Sequence, residues 1–333
     1  MKWLKKDALQ IIGFQSYGTA DLLFLRGRAL EDEDIDLSKK GFFNLIRNTY
    51  KRFETDEVRH TKIGVRLSEK PLIITETDAH GYFRLEMVVE DLYSYANTEG
   101  WVALEFSFQN TDIKREIRLK NRFPCEMLIP SKTAKFGVIS DIDDTILHTG
   151  VVSLLKWQVI INTIFKRATK RSALEGVSNF YNQLHHGVNK NEANPMFYVS
   201  HSPWNLYRYL ELFLQTNNFP KGPILLRSMA SFRAKNRPSA APQKYHEIVN
   251  ILETYPKLGF ILIGDSGEKD GDIYIDIAKK FPSQIKAIYL RSVRHDKRVE
   301  RVTALFNEYT KVPFLLVRKT EEAYSHAKEA GFI

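Results

Sequence analysis

The chain has 333 residues, which is enough for about two domains of the usual ~100–200 residues each. Hydrophobic residues make up 43% of the sequence, as in ordinary globular proteins, and no run approaches the ~20 apolar residues that a membrane-spanning helix needs. The formal net charge of +9 favours anionic partners such as phosphate esters, acidic membrane surfaces or nucleic acid, without choosing among them.

The first residues contain lysines but no apolar core of 7–15 residues before a cleavage site, so we do not expect a signal peptide. The single cysteine, Cys125, excludes an internal disulfide and is typical of a reducing compartment. Together these features predict a cytoplasmic protein.

Residues 1–132 contain short runs in which apolar and polar side chains alternate, the pattern of half-buried antiparallel strands. These runs lie at 22–28, 62–67, 72–77, 82–89, 102–108 and 115–120. We therefore predict a β-sandwich-like domain over 1–132. Residues 38–53 interrupt it with helical spacing, aromatic side chains and cations, which fit either a helix covering the sandwich or an interfacial membrane anchor.

Residues 133–333 have a different pattern, in which continuous apolar runs alternate with helical stretches. The apolar runs lie at 136–139, 196–199, 224–226, 260–263, 285–290 and 314–317. The helical stretches include 204–215, 245–255, 272–281 and 299–309. This alternation predicts a parallel α/β sheet with strands buried on both faces. We interpret 189–195 and 234–243 as exposed loops.

Polar side chains follow several of these runs, and ligands of open α/β sheets bind beyond the carboxyl ends of the strands. The candidate site residues are Asp141, Asp143, Thr145, Ser200, Lys244, Asp265 and Asp270. Asp144 is assigned no chemistry and fits a cap of the following segment. Lys244 differs from the others because it opens a helix before the strand that ends near Asp265. We expect one pocket to collect most of these groups.

Carboxylates from two strand ends suit a hard divalent cation, and Mg²⁺ is usually held by one or two carboxylates, water and substrate phosphate. Such a cation lets Asp141 and Asp265 stay ionised side by side. An aspartate at a strand end can also attack phosphorus and form an aspartyl phosphate. Asp143 is then placed to transfer protons, while Ser200 and Lys244 hold the phosphoryl oxygens. For an isolated Asp141–Thr145 motif, the alternative is that the carboxylates cap the following helix.

The arrangement D-x-D-x-T at 141–145, Ser200, Lys244 and G-D-x-x-x-x-D at 264–270 resembles the four motifs of the haloacid-dehalogenase-like (HAD) phosphatases, in the same order. More narrowly, DIDDTI, YVSHSPWNLY, GPILLR and FILIGDSGEKDGDIY, within about 135–295, resemble the actin-patch-associated phosphatidate phosphatases, which belong with the lipin-type lipid phosphatases. A weaker similarity at 17–30 and 77–87 suggests a bacterial-type member, since those also carry a β-rich domain.

The resemblance implies a HAD-like, Rossmann-type parallel sheet over 133–333, with a small helical cap near 150–190. It also implies Mg²⁺-dependent conversion of phosphatidate to diacylglycerol and phosphate. By resemblance, Asp141 is the nucleophile, Asp143 the acid/base, and Thr145, Ser200 and Lys244 bind the phosphoryl group. Asp141, Asp265 and the backbone carbonyl of Asp143 hold Mg²⁺, with Asp270 in support. Lys235 competes with Lys244 for the lysine position.

Two other functions stay open: a soluble phosphomonoesterase of the same mechanism, and a catalytically idle adaptor that binds membranes or proteins. The partner that we expect is an anionic phospholipid, with peripheral membrane association and no nucleic acid, because no nucleic-acid-binding module is recognisable. The basic helix over 153–171 fits a cap facing a lipid surface or a helix packed on the domain. Arg291 either belongs to a solvated basic face or reaches a phosphate.

Overall fold

A computed structural model describes residues 7–32, 57–110, 115–142, 168–227, 242–266, 269–292 and 296–333. The predicted insertion at 38–53, Asp143, Asp144, Thr145, Lys235 and the first part of the predicted cap lie outside these residues. The chain divides into two compact units, Met1–Ile129 and Pro130–Ile333.

The first unit is built from β-strands that form two sheets. The strands are β1 (Ala8–Phe14), β2 (Ser16–Tyr17), β3 (Leu22–Asp32), β4 (Lys62–Arg66), β5 (Ile73–Glu76), β6 (Tyr82–Val88), β7 (Trp101–Phe108) and β8 (Phe123–Leu128). One sheet has the order β1-β3-β6 and the other the order β2-β8-β7-β4-β5. The alternation explains the packing: Leu23 and Leu25 are fully buried, and they join Val65 and Phe106 of the other sheet in one hydrophobic cluster.

Three details of this unit differ from the sequence-based predictions. The run at 115–120 is not a strand: a tight turn with positive φ at its last three residues spans Arg118–Asn121. Asn121 fixes this turn by exchanging two hydrogen bonds with the backbone of Phe108, at 2.8 and 2.9 Å. Strand β1 was missed because ALQIIGF does not alternate strictly. Strand β8 was missed because Pro124 weakens the strand signal.

The second unit contains a six-stranded sheet in the order β11-β10-β9-β12-β13-β14, and its described strand pairs are all parallel. The strands are β9 (Gly137–Asp141), β10 (Met196–Pro203), β11 (Ile224–Arg227), β12 (Phe260–Asp265), β13 (Ile285–Arg291) and β14 (Phe314–Val317). The described helices are α1 (Ala168–His186), α2 (Tyr207–Thr216), α3 (Gln243–Thr254), α4 (Asp270–Lys280), α5 (Asp296–Asn307) and α6 (Thr320–Glu329). The parallel sheet predicted from the continuous apolar runs is confirmed.

The predicted exposed loop at 189–195 is partly wrong, because Glu192 and Asn194 are buried. The Oδ1 atom of Asn194 accepts hydrogen bonds from the backbone N–H groups of Lys135, at 2.8 Å, and Phe136, at 3.3 Å. Its Nδ2 atom donates to the carbonyl of Leu184 at 2.8 Å. The Asn194 side chain thus pairs with buried backbone groups that would otherwise lack hydrogen-bond partners. The polar composition of 189–195 does not reveal this role. Within the described residues, no helix is both long enough and apolar enough to cross a membrane.

Candidate active site

Three aspartates meet at the carboxyl end of the parallel sheet. Asp141 is the last residue of β9, Asp265 is the last residue of the adjacent strand β12, and Asp270 is the first residue of α4. All three are fully buried, and one carboxylate oxygen from each lies within 4.8 Å of the others. Three carboxylates this close repel one another and require positive charge among them.

Lys244, the second residue of α3, supplies positive charge from within the chain. Its Nζ atom donates to Oδ1 of Asp141 at 2.7 Å and to Oδ1 of Asp270 at 2.5 Å. Burial alone would lower the pKa of Lys244, but the Asp141 and Asp270 carboxylates raise it above its usual value. The lysine therefore stays charged, and it fixes the positions of two carboxylates.

The absence of a side chain at Gly264 allows the Asp270 carboxylate to lie close to the backbone of Asp265. A Cβ atom at position 264 would lie 2.6 Å from Oδ2 of Asp270 and 2.8 Å from the Tyr274 ring, so a side chain here would displace the carboxylate. Oδ2 of Asp270 in turn accepts a hydrogen bond from the backbone N–H of Asp265 at 3.3 Å. In the sequence G-D-x-x-x-x-D, the carboxylate of the second aspartate, Asp270, thus links the start of α4 to the end of β12.

Ser200 lies on β10, the other neighbour of β9. Val199 is the register partner of Asp141, so Ser200 lies one residue beyond that level. It is buried, and its Oγ atom accepts a hydrogen bond from the backbone N–H of Ser202 at 2.9 Å. Of the predicted residues, the structure thus brings Asp141, Lys244, Asp265 and Asp270 into contact and places Ser200 on the neighbouring strand. Asp143 and Thr145 lie outside the described residues.

Sequence reasoning missed Tyr181, which lies on α1 beside the site. Its hydroxyl is hydrogen-bonded to Oγ of Ser140 at 2.7 Å, and Ser140 directly precedes Asp141. Burial raises the pKa of Tyr181, so its hydroxyl keeps its proton. In the sequence, Phe180 and Tyr181 show only the pattern of a packed helix, and nothing there marks the tyrosine as a neighbour of Asp141.

A pocket of about 390 Å³ opens at the same end of the sheet, between α1, the ends of strands β12–β14 and the start of α6. Apolar and aromatic side chains line it, among them Val177, Phe180, Tyr289, Val317 and Ala323. Three cationic residues, Arg291, Arg318 and Lys319, also line it, together with one acidic residue, Glu321. Tyr181 and Gly264 belong both to this pocket and to the surroundings of the carboxylates. Apolar walls with basic groups suit an amphiphilic anion.

The donor set fits a divalent cation. Carboxylate oxygens are the ligands that Mg²⁺ and Ca²⁺ prefer, and Asp141, Asp265 and Asp270 present three of them within 4.8 Å. The group contains no described histidine or cysteine, the ligands typical of zinc. The site can therefore hold a hard divalent ion between the ends of β9 and β12.

Comparison with protein families gives a match over the segment of the chain that contains this site. Residues 136–292 match the family model described as the catalytic domain of phosphatidate phosphatase APP1. The matched segment contains Asp141, Ser200, Lys244, Asp265 and Asp270. The resemblance to this phosphatase family is therefore confirmed for that part of the chain.

Two curated fungal proteins are similar in sequence. Phosphatidate phosphatase APP1 of Saccharomyces cerevisiae is 37% identical over 174 residues, which cover 52% of this chain and 28% of the relative. An uncharacterized protein of Schizosaccharomyces pombe is 28% identical over 221 residues, which cover 66% of this chain and 34% of the relative. The chain thus spans about a third or less of these relatives. The bacterial-type assignment stays a prediction.

Comparison with solved structures adds no argument about the fold. A ferredoxin-NADP+ reductase of Plasmodium falciparum covers 86% of this chain and 95% of its own, with a TM-score of 0.19 and 10% identity. A likeness at this level does not bear on either unit.

Proposed function

We propose that this protein is a Mg²⁺-dependent phosphatase that converts phosphatidate, or a related lipid phosphate, into diacylglycerol and phosphate. The observation that carries the proposal is the match of 136–292 to a phosphatidate phosphatase catalytic domain, with the buried carboxylate–lysine cluster inside the matched segment. The proposal includes a HAD-like, Rossmann-type catalytic domain over 133–333 with a small cap near 150–190, preceded by a sandwich-like domain over 1–132.

The reaction that we propose has two steps. A carboxylate oxygen of Asp141 attacks phosphorus, the P–O bond to the glycerol oxygen breaks, and Asp143 gives its proton to that oxygen. Asp143 then takes a proton from water, which attacks the aspartyl phosphate and releases phosphate and the Asp141 carboxylate. Because Lys244 holds Oδ1 of Asp141 at 2.7 Å, we assign the attack to Oδ2.

The two ion pairs of Lys244 define its role in this proposal. Its contacts to Asp141 and Asp270 support an ammonium that orients the nucleophile and offsets negative charge when a phosphoryl group enters. These contacts favour Lys244 over Lys235 as the lysine of the site. Ser200 and Thr145 are proposed to donate hydrogen bonds to the phosphoryl oxygens.

Magnesium would be held by Asp141, Asp265 and the backbone carbonyl of Asp143, with Asp270 in support. When bound, it supplies positive charge to the phosphoryl oxygens, as in other phosphoryl-transfer sites. The fit of the three buried carboxylates supports a divalent cation, and the preference for Mg²⁺ rests on the phosphate chemistry.

The pocket beside the carboxylates supports a lipid rather than a small soluble ester. Its apolar walls can accept part of an acyl chain, while Arg291, Arg318 and Lys319 can bind ester or phosphate oxygens. Together with the net charge of +9, this favours an anionic phospholipid reached by peripheral association of a cytoplasmic protein with a membrane surface.

The substrate class is tested by measuring phosphate release from phosphatidate in mixed micelles and from a soluble aryl phosphate in parallel. We expect a higher kcat/KM for phosphatidate. Comparable or higher kcat/KM for the aryl phosphate would favour the soluble phosphomonoesterase. Phosphate release from neither substrate would favour the adaptor.

A further inference from the structure

Two asparagines of the second unit are equally buried but differ in their hydrogen bonds. Asn194 is fully buried, and its side chain makes hydrogen bonds through both its oxygen and its nitrogen. Asn205 is only 2% exposed, yet within the described part of the chain neither its Oδ1 nor its Nδ2 has a hydrogen-bond partner. A buried carboxamide that leaves both groups unused is costly and needs an explanation.

The position of Asn205 suggests what its side chain binds. It lies in the single helical turn Trp204–Leu206, which connects the end of β10 to the start of α2. Strand β10 pairs with β9, and the same strand carries Ser200. Asn205 thus follows the carboxyl end of a strand adjacent to the nucleophile strand, where ligands of parallel sheets bind.

We propose that Asn205 is a ligand-binding residue of this site, and that its carboxamide hydrogen-bonds the phosphoryl group of the substrate. A phosphate monoester loses its second proton with a pKa of about 6, so near neutral pH it offers acceptor oxygens and, in part, a hydroxyl donor. Nδ2 of Asn205 donates a hydrogen bond to a phosphoryl oxygen, and Oδ1 accepts one from the phosphate hydroxyl. The unliganded protein keeps a costly polar group because the ligand satisfies it. This inference rests on the proposed phosphatase function in taking phosphate as the ligand.

The test uses Asn205→Leu, which has nearly the same shape without polar atoms, and Asn194→Leu as a matched control. The full-length proteins are melted at pH 7 with Mg²⁺, over a series of inorganic phosphate concentrations, with potassium chloride keeping the ionic strength constant. Without phosphate, we expect the Tm of Asn205→Leu to be unchanged or higher by roughly 2–4 °C, because two unsatisfied groups are removed. Asn194→Leu should have a Tm at least about 5 °C below that of the wild-type protein, because buried backbone N–H groups lose their hydrogen-bond acceptor.

Phosphate should raise the Tm of the wild-type protein and of Asn194→Leu by similar amounts. For Asn205→Leu, the dissociation constant derived from the Tm series should rise at least about tenfold. If Asn205→Leu does not fold, Asn205→Ala gives the same comparison of dissociation constants.

Two results would overturn the inference: an unchanged phosphate dissociation constant in Asn205→Leu, or a loss of Tm as large as that of Asn194→Leu, which would mean that the chain itself satisfies the side chain. A wild-type protein that shows no phosphate-dependent Tm also overturns it. If phosphate binding depends on Asn205 but phosphatidate is not hydrolysed, the proposed substrate fails and the assignment of Asn205 stands.

Discussion

Lys244 donates a hydrogen bond to Asp141 across 2.7 Å, and neither side chain has any exposed surface. The same ammonium also contacts Asp270, whose side chain is 1% exposed. Charges held this way are taken out of water, so each depends on the others for its stability. The site is therefore electrostatically coupled: removing one member leaves a buried charge without compensation.

Replacing Lys244 by methionine should destabilise the protein by about 3–5 kcal/mol, because Asp141 and Asp270 then lose their buried counter-ion. The free energy of unfolding from urea denaturation measures this. A matched control is Lys280→Met: Lys280 lies 3.9 Å from Glu253 with both side chains more than half exposed, and we expect a loss below about 1 kcal/mol. Equal losses in the two variants would contradict the assignment of a buried charge cluster.

The Lys244 contribution should depend on pH in one direction. Burial alone would lower its folded-state pKa, but the two carboxylates outweigh this desolvation and raise the pKa above its ordinary value of 10.5. Stability from a raised lysine pKa is fully present below the unfolded-state pKa and is lost as pH rises above it. The difference in unfolding free energy between wild type and Lys244→Met should therefore stay constant from about pH 7 to 9.5. Above about pH 10.5 this difference in unfolding free energy should decrease by up to about 1.4 kcal/mol per pH unit. A difference that increases above about pH 10.5 would contradict a raised pKa of Lys244 in the folded protein.

Gly264→Ala should abolish most activity and destabilise the protein by about 1–3 kcal/mol, because the new Cβ collides with the Asp270 carboxylate and the Tyr274 ring. Gly176→Ala is a control for stability alone, because Gly176 also lines the pocket beside the carboxylates. Gly176 lies within α1, and an added Cβ there meets no atom within 4 Å, so alanine should stabilise by about 0.5–1 kcal/mol. Thermal melting and phosphate release measure the two effects. A fully active Gly264→Ala protein would exclude a role for the Asp270 position.

Arg291→Gln should lower kcat/KM for phosphatidate by about 10–100-fold, the loss expected for one hydrogen bond from a charged group. The effect on a soluble aryl phosphate should be smaller if Arg291 contacts parts of the lipid other than the phosphoryl group. Arg301→Gln is the matched control: Arg301 pairs with Asp272 at 2.6 Å and is not among the described residues that line the pocket. Equal losses on both substrates would place Arg291 at the phosphoryl group instead.

The parallel sheet and the cluster of Asp141, Lys244, Asp265 and Asp270 could be predicted from the sequence, because buried parallel strands leave long apolar runs and their polar ends converge at one edge. The direct ion pair of Lys244 with Asp141 could not be predicted, since it depends on how α3 packs on the sheet, where it contacts β10. Tyr181 was missed for the same reason: an aromatic residue on a helix shows the same pattern whether or not its hydroxyl reaches the site.

Errors in the first unit have a different cause. Strand β8 contains Pro124, and the residues before it form a turn held by the Asn121 side chain, so tertiary hydrogen bonds override the local pattern there. In the second unit, the burial of Asn194 was not predicted because two of the backbone groups that it binds, those of Lys135 and Phe136, are almost 60 positions away in sequence. Contacts over such separations leave no periodicity in a single sequence.

The most direct test of the account is phosphate release from phosphatidate in mixed micelles by the wild-type protein and by Asp141→Asn, each with Mg²⁺ and with EDTA. Asp141→Asn keeps the shape of the side chain but removes the nucleophilic carboxylate. We predict turnover by the wild-type protein with Mg²⁺, and none with EDTA or after the substitution. Turnover by folded Asp141→Asn at the wild-type rate would contradict the proposal that Asp141 attacks phosphorus.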